Sequence, residues 1–167
     1  MEIALSLGSN LGDRLQNLQQ ARDAVAALEG VALVAQSNVY ETDPVDVRPE
    51  YEDLPYLNAV LVVASDTPPA ELQAALHAIE AEFGRVRGDD PNAPRPLDID
   101  MIYAGHTQRC EDGLRLPHPR WSERRFVVQP LADVRPDLTL PGRTRTVARV
   151  LADLPEKPGV ALFADTW

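Results

Sequence analysis

An α+β sandwich, with two helices laid across one face of an antiparallel sheet, is the fold class this sequence predicts. Three observations lead there. Short runs of β-forming residues alternate with segments whose apolar residues recur at helical spacing. Their order along the chain is strand, helix, strand, strand, helix, strand. No linker, internal repeat or low-complexity tract interrupts them, so the 167 residues are expected to form one domain, residues 1–167, around a sizeable core.

The elements follow in turn. Residues 3–7 are a short apolar run and read as a buried strand. It ends in Gly8-Ser9-Asn10, after which Leu11, Leu15, Leu18, Val25 and Leu28 repeat at helical spacing. Asn10 is the expected N-cap, Asp13 favours the helix N-terminus and Gly30 is the stop. Residues 31–40 read as a second strand of weaker pattern. Residues 42–55 hold Pro44, Pro49, Pro55, many acids and no periodicity, which marks a long loop. Residues 56–64 are rich in β-formers and give the third strand. Thr67-Pro68-Pro69 reads as an N-cap followed by proline in the first helical turn. Leu72, Leu76, Ile79 and Phe83 make the apolar face of the helix, which stops at Gly84. Residues 88–96 form a second polar, proline-rich loop, and both loops are expected to be mobile lids. Residues 97–103 are the fourth strand. A small hairpin (106–116), a short helix (123–132) and a last helix (145–154) complete the chain. After Leu131 no motif stands out, and that segment is expected to serve packing, with Trp167 covering the core or fraying. The element order is that of a ferredoxin-like βαββαβ sandwich with a C-terminal extension.

Composition narrows the function. The formal net charge is −10, which argues against general binding to nucleic acid or anionic membranes. It does not exclude a small anionic ligand at a local basic cluster. Lys157 is the single lysine, so positive charge is nearly all arginine and only clustering is informative. No apolar run reaches the roughly 18 residues of a membrane span, and the N-terminus lacks the basic region of a secretory signal. One cysteine, Cys110, permits no internal disulfide. A cytoplasmic monomer acting on small molecules is the resulting expectation.

The stretch Pro94-Arg-Pro-Leu-Asp-Ile-Asp-Met-Ile-Tyr103 carries the most chemistry. In a strand, residues i and i+2 share a face with Cα atoms roughly 6.6 Å apart. Asp98 and Asp100 would project together while Leu97, Ile99 and Met101 face the core. A bare D-x-D is more often a pair of solvated acids on an edge strand. The neighbours change the balance. Arg85 and Arg87 flank Val86, Arg95 lies between two prolines, and residues 116–126 bring together His118, Arg120, Arg124, Arg125 and Phe126. A histidine between Pro117 and Pro119 is not expected to be a buried core residue. Two acids beside several arginines in an acidic chain fit a polyphosphate with Mg²⁺, which takes carboxylate and phosphate oxygens. Lys157 precedes proline, so no Walker A loop exists, and Gly8-Ser-Asn-Leu-Gly12 is not a dinucleotide fingerprint. A metabolite-binding regulatory module and a D-x-D glycosyltransferase are the competing classes. The first has no need of paired acids, and the second wants a larger domain.

Five motifs in one register complete the picture. They are Leu5-Ser-Leu-Gly-Ser-Asn-Leu-Gly-Asp-Arg14, Ser37-Asn-Val-Tyr-Glu-Thr-Asp-Pro44 with Tyr56-Leu-Asn-Ala-Val60, Gly84-Arg-Val-Arg87, Pro94 to Ile102, and Leu116-Pro-His-Pro119 with its Glu123-Arg and Phe126-Val continuation. Together they resemble the 6-hydroxymethyl-7,8-dihydropterin pyrophosphokinases of folate synthesis, from Ala4 to Leu131. That resemblance implies transfer of the β,γ-pyrophosphoryl group of ATP to the pterin hydroxymethyl, with AMP released. It implies that Asp98 and Asp100 hold two Mg²⁺ ions and that Arg85 and Arg95 are catalytic. It assigns Glu80, Arg87, Ile99, His118 and Arg124 to ATP, and Thr42, Asp43, Val45, Tyr56, Asn58 and Phe126 to the pterin. Stacking area on Tyr56 and Phe126 and an amide on Asn58 suit a flat heterocycle with a hydrogen-bonding edge. Asn92, His77 and Arg115 depart from residues seen in some members of the family, and altered affinity rather than lost activity is expected from them.

Overall fold

The computed structural model describes residues 1–44, 48–84, 93–111 and 113–167. Its first strand, β1 (Glu2–Ser9), lies mid-sheet and pairs antiparallel on one side with β4 (Tyr56–Ser65) and on the other with β5 (Asp98–Ala104). Two strands, β2 (Val31–Gln36) and β3 (Val39–Thr42), share the far side of β4, and β8 (Val160–Ala164) extends the sheet beyond β3. The predicted single strand 31–40 is therefore split. At the break, Ser37 Oγ accepts from the Val60 amide at 2.8 Å, so a side chain replaces a ladder bond. A separate hairpin joins β6 (Arg109–Glu111) to β7 (Leu114–Leu116). The architecture is the ferredoxin-like antiparallel sandwich read from the sequence, widened at one edge by β8, a strand the sequence did not announce.

Helices cover both faces of the sheet. Helices α1 (Arg14–Ala26) and α2 (Pro69–Glu82) pack against Ile3, Leu5, Leu7, Ile99 and Met101. On the opposite face α3 (Arg125–Val134) and α4 (Val147–Asp153) pack against Ala4, Val60, Val62 and Ile102. Strand alternation explains the division, since odd positions of β1 serve one core and even positions the other. The segment after Leu131 thus contributes Leu140, Val147 and Val150 to this second core.

Two caps differ from expectation. Asp13, not Asn10, caps α1 by accepting from the Gln16 amide at 3.0 Å. Asn10 is only 4% exposed and its side chain is directed elsewhere, to Arg95. Thr67 does not cap α2, whose N-cap is Pro68 with no side-chain bond; the Thr67 amide turns back to Ser65 Oγ at 3.1 Å.

The far end of α3 is fixed to the sheet. Arg135 pairs with Glu2 at 2.7 Å, and the Tyr103 hydroxyl donates to the same carboxylate at 2.6 Å. The Tyr40 hydroxyl reaches both oxygens of Asp133 at 2.9 Å. Anchored there, the helix holds its N-terminal end over the polar part of the sheet. No described helix is long and apolar enough to cross a membrane.

Trp167 covers the core of α1 and α2 rather than fraying. It is 8% exposed, its indole N–H donates to the Ser37 carbonyl at 2.7 Å, and the Arg22 guanidinium lies 5.5 Å from the ring centroid. Trp167→Ala should therefore cost about 3–5 kcal/mol of stability, read by denaturant unfolding.

Candidate active site

Along the sheet face beneath α3, the side chains change from apolar to polar in step on three strands. On β1 they run Ala4, Ser6, Gly8, on β4 Val62, Val60, Asn58, Tyr56, and on β5 Ile102, Asp100, Asp98. The antiparallel register sets Gly8 opposite both Asn58 and Asp98, and Ser6 opposite Asp100. The apolar half is filled by α3 and α4. The polar half is left open as a cavity of about 440 Å³.

Asp98 and Asp100 stand on the floor of this cavity, half-buried, with Ile99 between them turned into the opposite core. Glu80 supports that arrangement from below. It is 2% exposed, and its carboxylate accepts from the Ile99 amide at 2.8 Å. Glu80 and Ile99 lie behind the acids and not on the cavity wall as described. Arg95 approaches from the loop before β5, with Nη1 3.3 Å from Asp98 Oδ2. Its backbone is clamped by Asn10, whose Oδ1 accepts from the Arg95 amide at 2.8 Å and whose own amide donates to the Arg95 carbonyl at 3.2 Å.

The opposite wall is cationic. Arg124 is the N-cap residue of α3, and no side chain caps this helix. Helix N-termini carry partial positive charge and favour anions. Arginine there is unfavourable for an isolated helix, so the arrangement is suited to an anionic ligand. Burial and the neighbouring Arg120 lower the Arg124 pKa, while Asp100 and Asp98 oppose that shift. Arg124 also lies over Phe126, 5.6 Å from the ring centroid. His118 is tied to β5 by its amide, which donates to the Ile102 carbonyl at 2.8 Å. Its Nδ1 accepts from the Arg120 amide at 3.2 Å, which leaves Nε2 to carry the proton of the neutral ring. Burial, then the Arg124 and Arg120 charges, push the imidazole down to about 4. His118 is thus a neutral donor near pH 7.

The third side of the cavity is flat and amide-bearing. Tyr56 and Phe126 both line it, as do Thr42, Asp43 and Asn58. Asn58 is 4% exposed, and its Nδ2 donates to Thr42 Oγ1 at 2.7 Å. A Cβ at Gly8 would stand 3.1 Å from Asn58 Oδ1 and 4.0 Å from the Asp98 Cβ, so the absence of a side chain there keeps the floor open.

Of the residues singled out from sequence, Thr42, Asp43, Tyr56, Asn58, Arg95, Asp98, Asp100, His118, Arg124 and Phe126 are brought to one cavity. Val45, Arg85, Arg87 and Asn92 lie outside the described residues. The sequence reading missed Ser6, Gly8, Leu154, Pro155, Lys157 and Pro158 as lining. Gly8 had a signal in its place at a strand end opposite the acids, whereas residues 154–158 had none. Among the described residues no group of three His, Cys, Asp or Glu is placed to hold a metal. A pair of hard carboxylate oxygens opposite small residues fits Mg²⁺, which binds through one or two carboxylates and completes its shell with water and phosphate.

Comparison with known proteins is concordant. The sequence model of the 7,8-dihydro-6-hydroxymethylpterin-pyrophosphokinase (HPPK) family matches residues 4–136. A 2-amino-4-hydroxy-6-hydroxymethyldihydropteridine pyrophosphokinase of Pseudomonas aeruginosa is 38% identical over 139 residues, 83% of this chain and 83% of its own length. Its counterpart from Methylorubrum extorquens is 38% identical over 151 residues, 90% of this chain and 91% of its own. A folate synthesis bifunctional protein of Arabidopsis thaliana is 36% identical over 133 residues, and the chain spans only 27% of its length. A solved HPPK-DHPS in complex with substrates superposes with a TM-score of 0.70 at 11% identity, over 90% of this chain and 42% of that one. At that identity it shows a shared fold.

One titration tests the cationic wall. Because the folded pKa of His118 lies below its unfolded value near 6.5, its contribution favours folding above pH 6.5 and is lost progressively as pH falls towards about 4. In NMR the His118 ring should remain neutral at pH 5.5. His118→Gln should flatten the loss of stability between pH 6.5 and 4.

Proposed function

The chain belongs to the 7,8-dihydro-6-hydroxymethylpterin-pyrophosphokinase family, and on that premise we propose that it transfers the β,γ-pyrophosphoryl group of ATP to 6-hydroxymethyl-7,8-dihydropterin. The observation that supports this most is the convergence on one cavity of paired carboxylates, a cationic wall and an aromatic–amide corner. The pterin hydroxymethyl oxygen bonds to Pβ, the bond from Pβ to the oxygen bridging to Pα breaks, and AMP departs with that oxygen. The hydroxyl proton passes to solvent. The product is the pterin diphosphate.

The roles divide by chemistry. Tyr56 and Phe126 take the two faces of the pterin, and Asn58 reads its edge with the Oδ1 left over from the Thr42 bond. Thr42 and Asp43 border the ring, and the family resemblance gives Val45 a further pterin contact. Asp98 and Asp100 would hold two Mg²⁺ ions, which when bound neutralise phosphate charge and lower the pKa of the attacking hydroxyl. Arg124 and neutral His118 donate to the polyphosphate, a role the family resemblance also gives to Arg87. Glu80 acts on the nucleotide side through the Ile99 backbone it fixes. Arg85 and Arg95 stabilise charge that accumulates on the bridging oxygens, the part of such reactions where preorganised cations have most effect. Arg95 rests against Asp98 at 3.3 Å, within reach of a phosphate group held at the acids. The chain acts as a cytoplasmic monomer on these small molecules.

Protein, ATP, Mg²⁺ and hydroxymethyl-dihydropterin should give pterin-dependent AMP. ADP as product, or no pterin dependence, would sink the reading and leave a regulatory binding module or another metal-dependent transferase. Asp98→Ala should lower turnover by at least about a hundredfold, with a change in folding stability below about 1 kcal/mol because no core volume is lost. Gly8→Ala should weaken pterin binding about tenfold through its methyl group beside Asn58 Oδ1; unchanged affinity in calorimetry would remove the sheet floor from the pterin site.

A further inference from the structure

The family match ends at residue 136, but the cavity wall does not. Leu154, Pro155, Lys157 and Pro158 line its outer side. Nothing in the local sequence marks this segment as a wall, yet both its ends are held by residues of the site. At one end Arg125 Nη1 donates to the Leu154 carbonyl at 3.0 Å and the Pro155 carbonyl at 3.3 Å. At the other end the Gly159 amide donates to Asp43 Oδ2 at 3.1 Å, and the Asp43 amide returns a bond to the Gly159 carbonyl at 3.3 Å. That exchange continues the β3–β8 ladder, in which Thr42 faces Val160. Between the two fastenings, Pro155 and Pro158 restrict the backbone, so few bonds suffice to fix its path. Arg125 directly precedes Phe126 and Asp43 directly follows Thr42, so both fastenings belong to the aromatic–amide corner and not to the acids.

We infer that residues 154–159 form a wall of the pterin end of the cavity, and that Arg125 is the positioning residue that holds them there. This rests on the reading of Phe126 and Asp43 as pterin contacts. Arg125 itself is turned to main-chain carbonyls. Its loss should loosen the wall and weaken the flat ligand selectively, leaving the phosphate end intact.

The test uses the full chain, with wild type, R125M and R125K. R125M keeps much of the side-chain length and has no donors, whereas R125K retains an ammonium able to reach one carbonyl. Each protein is titrated calorimetrically with hydroxymethyl-dihydropterin in the presence of Mg²⁺ and a non-hydrolysable ATP analogue, and separately with the analogue alone. Hydrogen exchange is followed at the amides of Leu154, Glu156, Lys157 and Gly159. R125M should bind the pterin about tenfold more weakly, the equivalent of one or two lost hydrogen bonds. Its affinity for the analogue should stay within about twofold of wild type, and its exchange at Gly159 should quicken. R125K should recover part of the pterin affinity. Equal pterin affinity in wild type and R125M, or equal losses for pterin and analogue, would overturn the inference. Unchanged exchange in R125M would also overturn it. A wild-type chain that binds the analogue but no pterin overturns the functional reading, and this inference with it.

Discussion

The repulsion between Asp98 and Asp100 is the constraint around which the site is arranged. Two like charges on one strand face, each partly removed from water, need opposite charge nearby or they oppose folding. The protein answers from several directions. Arg95 touches Asp98 from the preceding loop, with its backbone clamped by Asn10. Arg124 faces both acids from the start of α3. Opposite the acids, β1 presents only Ser6 and Gly8, so the space above them is not filled by side chains. The result is a cavity with one acidic side and one basic side, a charge pattern suited to a ligand that carries both cations and anions.

The same strands also carry a core. Because β1 uses odd positions for the α1–α2 side and even positions for the α3–α4 side, each acid stands beside a residue committed to packing. Ile99 is the clearest case. Its side chain belongs to one core while its amide is held by Glu80, and the two carboxylates of the cavity floor lie on either side of it. Positional precision at the acids is therefore inherited from the sheet. On the cationic wall the precision comes from α3, fastened at its far end by Arg135 to Glu2 and by Asp133 to Tyr40.

Much of this was legible in the sequence because it depends on local periodicity. Alternation in Leu97 to Tyr103 set the acids against the core residues, and helical spacing of Leu72, Leu76 and Ile79 gave α2. The ferredoxin-like sandwich followed from the element order. The caps at Asn10 and Thr67 were misread because their bonds are tertiary or turned backwards, to Arg95 and Ser65. The break between β2 and β3 was missed because it is made by Ser37 pairing with a distant strand. β8 and the wall at residues 154–158 were missed for a related reason. An edge strand exposed on both faces has no alternation to read, and a segment held by its carbonyls leaves no mark on residue type.

The contrast between floor and wall bears on how this pocket can change over generations. The floor is over-determined: Gly8 has Asn58 on one side and Asp98 on the other, so nearly any substitution there is felt by two strands at once. The wall at residues 154–158 is fastened by Arg125 to two main-chain carbonyls, a feature that every amino acid offers. Apart from the two prolines, side chains in that segment can therefore be exchanged without loosening their own attachment. Variation in ligand fit has a place to accumulate, separate from the carboxylates.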